Sequence, residues 1–293
     1  MKSSQFEYFA PESVEETVSL LGQHGEEAKI LAGGQSLVPL LALRLAIPTV
    51  VIDINRVKSL DYVKVEGDVV RVGALARHRT IEKHEELARR CPMIKDAVSL
   101  VGHVAIRNRG TVVGSMAHAD PSSEWPAIAL ALDAEIDAVG PNGKRTIPAS
   151  SFFMSFLMTA LEPDEVATEI RFKIPSGRVG SSFVELARRH GDFAVAGAGG
   201  LLSVAQDGAI ADARVVLIGV GATALRIDEA ERALTGKATS KEAYEEAAAA
   251  VNDSIDPTGD VHGSSEFRRS IAGVLTRRSL ETAAERVEGG DRD

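Results

Sequence analysis

Apolar and polar positions along this chain follow two periods, and the points where the period changes mark its elements. SVEETVSLLGQHG puts Val14, Val18 and Leu21 on one helical face, with Glu15 and Glu16 in the first turn and Gly22 and Gly25 at the end, which predicts a helix. AKILA (28–32) reads as a short buried strand and TVVIDIN (49–55) as a β-branched one. Between them SLVPLLALRLA (36–46) has helical spacing, with Pro39 inside its first turn, where proline is tolerated. DYVKVEGDVVRVGA (61–74) alternates around Gly67-Asp68, a hairpin signal. Residues 79–101 carry two amphipathic helices broken near Cys91-Pro92.

After Arg107 a long polar, glycine-rich loop precedes WPAIALALDA, a buried helix or strand. AEIDAVGPNGKRTIP reads as a hairpin around Pro141-Asn142-Gly143, VATEIRFKIP (166–175) as a strand, and Pro175-Ser176-Gly177 as a linker. Beyond it SSFVELARR, AVAGAGGLLSVAQ and ARVVLIGVG are strands, whereas DEAERALTG, SKEAYEEAAAAVND and EFRRSIAGVLTRRSLETAAERV are helices. Runs of strand followed by runs of helix point to α+β and not to regular βαβ alternation. GVGATA (219–224) mimics a dinucleotide fingerprint, but the second strand of a βαβ unit is missing ahead of it. It is read as a strand end turning back, and GAGG (197–200) as a mark of close packing.

Composition narrows the partners. The 293 residues leave room for two domains, with 44% hydrophobic and 26% charged residues for an ordinary core. A net charge of −9 argues against nucleic acid or an anionic membrane surface, which call for clustered Lys and Arg. The one cysteine, Cys91, cannot form an internal disulfide, hold an iron–sulfur cluster or build a structural zinc site. The opening MKSSQFEYFAPESVEE lacks the apolar core of a signal peptide, and no run approaches the ~20 residues of a membrane span. A cytoplasmic chain is expected.

Two segments carry candidate chemistry. Gly33-Gly34-Gln35-Ser36 lies between a predicted strand and a predicted helix. Without Cβ atoms the glycines can aim successive N–H groups into one concavity, a phosphate cradle that needs no lysine; a tight strand–helix connection is the alternative. IRNRGTVVGSMAHADPSSEWP (106–126) concentrates Gly110, Thr111, Gly114, Ser115, His118, Asp120, Ser122, Ser123 and Glu124 between apolar segments. Long polar loops of small residues inside a domain more often bind than idle. Together the two suit a diphosphate cofactor lying extended, with Glu124 as an acceptor for ribose hydroxyls.

LAGGQSLVPLL, IRNRGTVVGSMAHADPSSEWPA and RRHGDFAVAG, in this order, resemble the FAD-binding medium subunit of the molybdenum hydroxylases. Carbon monoxide dehydrogenase and similar aromatic or heterocycle dehydrogenases carry such subunits, as does the xanthine dehydrogenase family. The resemblance runs from FEYFAPESVEE to FRRSIAGVLTRRSL. It implies a two-part FAD-binding domain of the vanillyl-alcohol-oxidase (PCMH) type over residues 1–176, with subdomains of about 1–57 and 58–176. A smaller α/β domain of the CO dehydrogenase flavoprotein type would follow over 177–287, and a tail over 288–293. It further implies that Ala32, Gly33, Gly34, Gln35, Ser36 and Leu37 meet the FAD from one side. Thr111, Gly114 and Ser115 would approach from the other, with Ser123 and Glu124 toward the ribose and Leu161 and Phe193 near the isoalloxazine ring. No catalytic residue and no metal ligand is expected in this chain. A large subunit would hold the molybdenum cofactor and a small one two [2Fe-2S] clusters, in a dimer of heterotrimers.

Three positions depart from the family pattern. Relatives usually have two glycines before Ser115, where this chain has Val113-Gly114; either that position is extended or the turn has shifted. Phe193 stands where some relatives have Tyr or Trp, and Phe183-Val184-Glu185 lacks a lysine that relatives often have.

Other candidates have plainer readings. His118-Ala119-Asp120 is a poor metal or triad signal and is expected to brace its loop. His78, between Arg77 and Arg79, reads as a solvated face. Arg107 and Arg109 face either phosphates or a partner subunit. The function expected is an FAD electron-transfer subunit delivering electrons to a quinone or NAD. A stand-alone FAD oxidoreductase of the same fold and a cofactor-free scaffold subunit are the alternatives.

Overall fold

Ser13 opens the first helix, its side chain accepting the Glu16 N–H, and Gly25 closes it at φ 51°. In the computed structural model, which describes residues 2–289, this helix, α1 (Val14–His24), connects β1 (Glu7–Phe9) to β2 (Ala28–Leu31). β3 (Val50–Asp53) then enters between those strands, giving a parallel sheet of order β1-β3-β2 in which Ile52 pairs with both Phe9 and Ile30. α2 (Leu37–Leu43) joins β2 to β3 and is shorter than the helix expected over 36–46. Arg44 takes a left-handed φ of 57°, and the Leu45 and Ala46 N–H groups fold back to the Leu40 carbonyl, reversing the chain toward β3.

β4 (Val63–Glu66) and β5 (Val69–Gly73) form the expected hairpin, turning at Gly67 with φ 60°. The following region holds three helices instead of two: α3 (His78–Glu82), α4 (Glu85–Arg90) and α5 (Pro92–Leu100). The extra break falls at His84, whose ring nitrogen accepts the Leu87 N–H and caps α4. The long loop expected after Arg107 is also largely helical. α6 (Val104–Arg107) ends before it, and Thr111 Oγ1 accepts the Gly114 N–H to start α7 (Val112–His118). α8 (Glu124–Ala131) then takes up the segment whose apolar run fitted either helix or strand. Gly114 and Ser115 leave α7 with little apolar period, so its pattern resembled loop.

β6 (Glu135–Gly140) and β7 (Gly143–Pro148) make the second expected hairpin. α9 (Ala149–Phe152) leads to a two-stranded ribbon of β8 (Phe153–Ser155) and β9 (Met158–Thr159). β10 (Val166–Lys173) inserts between the two hairpins, so the antiparallel order is β4-β5-β10-β6-β7.

Past Pro175-Ser176-Gly177 come β11 (Val179–Ala187), β12 (Ala194–Val204), β13 (Ile210–Ile218) and β14 (Leu225–Arg226), antiparallel in chain order. GVGATA does turn back: Gly219 leaves β13 at φ 74°, and β14 pairs with the strand just finished. α10 (Asp228–Leu234), α11 (Lys241–Ser254) and α12 (Ser265–Gly289) follow, which completes the α+β order. Residues of the tail beyond 289 lie outside the described residues. Val216 and Ile218 point to the cluster containing α5 and α8, and Val215 and Leu217 to the one containing α10–α12. Cover on both faces is why β12 reads as an unbroken apolar run. Gly200, in its GAGG stretch, lies against Ser279 and Leu280 of α12. The first cluster spans Ile54 to Ala224 and includes Trp125, Phe172, Phe183 and Leu201, so one interior is shared across the linker. Among the described residues no helix is long and apolar enough to cross a membrane.

Candidate functional site

The turn after β2 and the turn before α7 touch through their main chains. A Cβ built on Gly33 would lie 2.5 Å from the Arg109 carbonyl oxygen, 2.6 Å from Gly110 Cα and 3.0 Å from the Thr111 nitrogen. Only glycine permits that approach. Gly34 is there for a different reason: its φ is +72°, and Leu31 and Val38 side-chain tips surround its open side. One built on Gly114 meets Thr111 Oγ1 and then the Ala32 methyl at 4.0 Å, so Ala32, Gly33, Thr111 and Gly114 form one contiguous wall.

A cleft of about 310 Å³ opens beside this wall, lined by Ala32 to Gln35 together with Val38, Pro39, Asp53, Asn55 and Arg109. Gln35 bends back, its amide donating to the Gly33 carbonyl at 3.1 Å, which braces the turn. The Ser36 hydroxyl makes no capping bond to α2, of which Leu37 is the first residue. Val113 sits within α7 with a helical backbone and is 2% exposed. It is neither extended nor strained, so no glycine is needed for φ here.

The second turn continues into Ser123 and Glu124. Ser115 and Ser123 hydroxyls are 2.7 Å apart, and the Asp120 side chain accepts the Ser122 N–H, the loop-bracing role expected of it. Burial, then the nearby Glu185 carboxylate, push Glu124 up to about 8, against the pull of its own backbone N–H. Burial alone pushes Glu185 of β11 up to about 7, and its Oε2 is buried without a hydrogen-bond partner among the described residues. A protonated Glu124 can both donate to and accept from a hydroxyl.

Leu161 is partly buried just beyond β9, and β9 packs against α7. Phe193 is 69% exposed, one residue before β12. Its turn is seated on the segment before α6 through Gly191, where a Cβ would come within 2.2 Å of the His103 ring.

His78 corrects the solvated reading. It is 4% exposed, with Nδ1 accepting from Trp125 Nε1 at 3.0 Å, and burial followed by the Arg107 and Arg77 cations pushes it down to about 3. Arg107 faces neither ligand nor partner: it is buried, bonded to Glu82 and to the Val101 and Gly102 carbonyls. Arg109 does line the cleft. Sequence reasoning missed Asn55, which also lines it, and Arg77, which bonds Asn55 and the Arg109 carbonyl. The one local signal for Asn55 was a polar residue two positions past the end of a strand, and Arg77 had none beyond its charge.

Residues 4–176 match the FAD binding domain in molybdopterin dehydrogenase, and residues 181–283 match the CO dehydrogenase flavoprotein C-terminal domain. The chain is 38% identical to the carbon monoxide dehydrogenase medium chain of Hydrogenophaga pseudoflava, over 95% of this chain and 97% of that one. It is 39% identical to the nicotine 6-hydroxylase medium subunit of Paenarthrobacter nicotinovorans, over 98% of this chain and all (100%) of the relative. The solved carbon monoxide dehydrogenase from Hydrogenophaga pseudoflava superposes with a TM-score of 0.94 at 40% identity, covering 98% of this chain and 99% of the other. With the paired glycine turns ahead of a strand-then-helix C-terminal half, these matches establish that the chain belongs to the family of FAD-binding flavoprotein subunits of the molybdopterin dehydrogenases.

Proposed function

We propose that this chain holds FAD between its two glycine turns and serves as the electron-transfer subunit of a molybdenum-containing hydroxylase or dehydrogenase. The observation that carries the reading is the main-chain contact of Gly33 with Arg109, Gly110 and Thr111. It sets the Gly33-Gly34 turn, whose main chain lines one cleft, against a second segment that contributes Arg109 to the same cleft. Such a donor set fits a diphosphate without metal or lysine. Bound FAD supplies electron transfer; the protein supplies position and electrostatics.

Ala32 to Leu37 would hold one side of the dinucleotide and Thr111, Gly114 and Ser115 the other. Ser123 and Glu124 would meet the ribose, and Leu161 and Phe193 the ring. The flavin part is assigned to 1–176, in pieces of about 1–57 and 58–176, and the C-terminal part to 177–287. A large molybdenum-cofactor subunit and a small [2Fe-2S] subunit complete the complex, as a cytoplasmic dimer of heterotrimers, with a quinone or NAD receiving the electrons. The lone buried Cys91 leaves the clusters to a partner.

Reconstitution of the purified chain with FAD tests the cradle: visible flavin absorbance retained through desalting is expected, and its absence rejects the reading. Co-purification of molybdenum and iron with the tagged chain from its native host tests the complex.

A further inference from the structure

Two side chains that belong to neither glycine turn tie the turns together. Asn55 follows β3, with its backbone N–H held by Asp53 Oδ1 at 2.9 Å, while Asp53 Oδ2 accepts the Tyr8 hydroxyl at 2.6 Å. So anchored, Asn55 Nδ2 donates to the Ala32 carbonyl at 2.8 Å, and its Oδ1 accepts Arg77 Nη2 at 2.6 Å. Arg77 Nη1 donates in turn to the Arg109 carbonyl. The result is one relay, Ala32 to Asn55 to Arg77 to Arg109, bonded to a carbonyl at each end.

Those carbonyls matter because of what lies across the same peptides. In a trans peptide the C=O and the following N–H point in opposite directions. Holding the Ala32 carbonyl toward Asn55 therefore aims the Gly33 N–H the other way. The Arg109–Gly110 peptide is held at both ends, by Arg77 on its oxygen and by the Ile106 carbonyl on its N–H at 2.7 Å. It is the surface against which Gly33 rests. Arg77 also pairs along the main chain with Thr111, and the His78 N–H reaches the Gly110 carbonyl at 3.0 Å. Its guanidinium is partly desolvated beside the Arg109 cation, an arrangement that an anion in the cleft relieves.

We propose that Asn55 and Arg77 are positioning residues for the flavin dinucleotide, setting the orientation of the Gly33 amide and the spacing of the two turns through the Ala32 and Arg109 carbonyls. The proposal rests on the FAD reading above and adds to it the parts that hold the cradle in shape.

The test uses the full-length chain stripped of flavin, with wild type, Asn55→Asp, Arg77→Lys and Arg77→Met compared by FAD titration, by visible circular dichroism of bound flavin and by thermal unfolding of the apo form. Asn55→Asp keeps an acceptor for Arg77 but loses the donor to Ala32. FAD affinity is expected to fall about ten- to a hundredfold, with an altered flavin dichroism. Arg77→Lys keeps the charge and one of two bonds, so it should fall between wild type and Arg77→Met. If Arg77→Met does not fold, the two conservative variants decide. Wild-type binding with both conservative variants inside twofold of it overturns the proposal alone. Wild type that binds no FAD overturns the flavin reading and this proposal with it.

Discussion

Gly33→Ala adds one methyl group where the fold has no room for it. The new carbon meets three main-chain atoms, the nearest at 2.5 and 2.6 Å, whereas ordinary contact begins at 3.4 Å. One turn must retreat by nearly an ångström. The Arg109–Gly110 side resists, because Arg77 and the Ile106 carbonyl hold that peptide. The Ala32–Gly33 side is held only by single side-chain amides from Asn55 and Gln35, so it yields, and the Gly33 amide proposed to meet the diphosphate shifts with it. Overpacking of this kind costs about 1–3 kcal/mol of stability. Loss of one hydrogen bond to a charged group costs about 1.5–3 kcal/mol, which is roughly ten- to a hundredfold in FAD affinity. Gly34→Ala is the contrast: its φ of +72° costs about 1–2 kcal/mol in stability, but its methyl meets only the Leu31 and Val38 side-chain tips. Titration of both apo variants with FAD, alongside their thermal unfolding, separates the two effects. Gly33→Ala should lose more affinity than Gly34→Ala at similar stability. Gly33→Ala binding within twofold of wild type would refute the cradle.

Arg107→Ala breaks a buried ion pair with Glu82 and frees two carbonyls, so the apo chain should lose about 3–5 kcal/mol in denaturant unfolding; a loss below 1 kcal/mol contradicts the structural role. Glu185 is raised above the ordinary carboxylate value when folded, so its burial opposes folding increasingly as pH climbs from about 4.5 to about 7. Glu185→Gln should therefore raise the apo unfolding temperature relative to wild type more at pH 8 than at pH 5, and an equal difference at both counts against it. Burial pushes the Cys91 thiol up to about 12, so iodoacetamide at pH 8 should label it only after unfolding.

The cradle was half legible. Each glycine turn announced itself locally, by small residues set between apolar runs, and each is where the spacing put it. That Gly33 rests on Gly110 had no local signal, because 77 positions of chain separate them. The errors have a common cause. His78 reads as solvated because charged neighbours flank it and Arg107 as facing phosphates or a partner subunit, yet Trp125 and Glu82, from other elements, provide their buried partners. The α7 segment reads as loop because its Gly and Ser positions carry no apolar period, and Thr111 capping, a three-dimensional event, starts the helix.

Spacing and composition by themselves determined both hairpins, the strand-then-helix order of the C-terminal half and the turning back of GVGATA, since each depends on residues a few positions apart. The insertion of β10 between two hairpins, the shared interior across the linker and the Asn55–Arg77 relay were decided only by the tertiary structure. Their hydrogen bonds and contacts join residues tens of positions apart, and a side chain's local sequence does not record which distant carbonyl or ring will satisfy it once the core has closed.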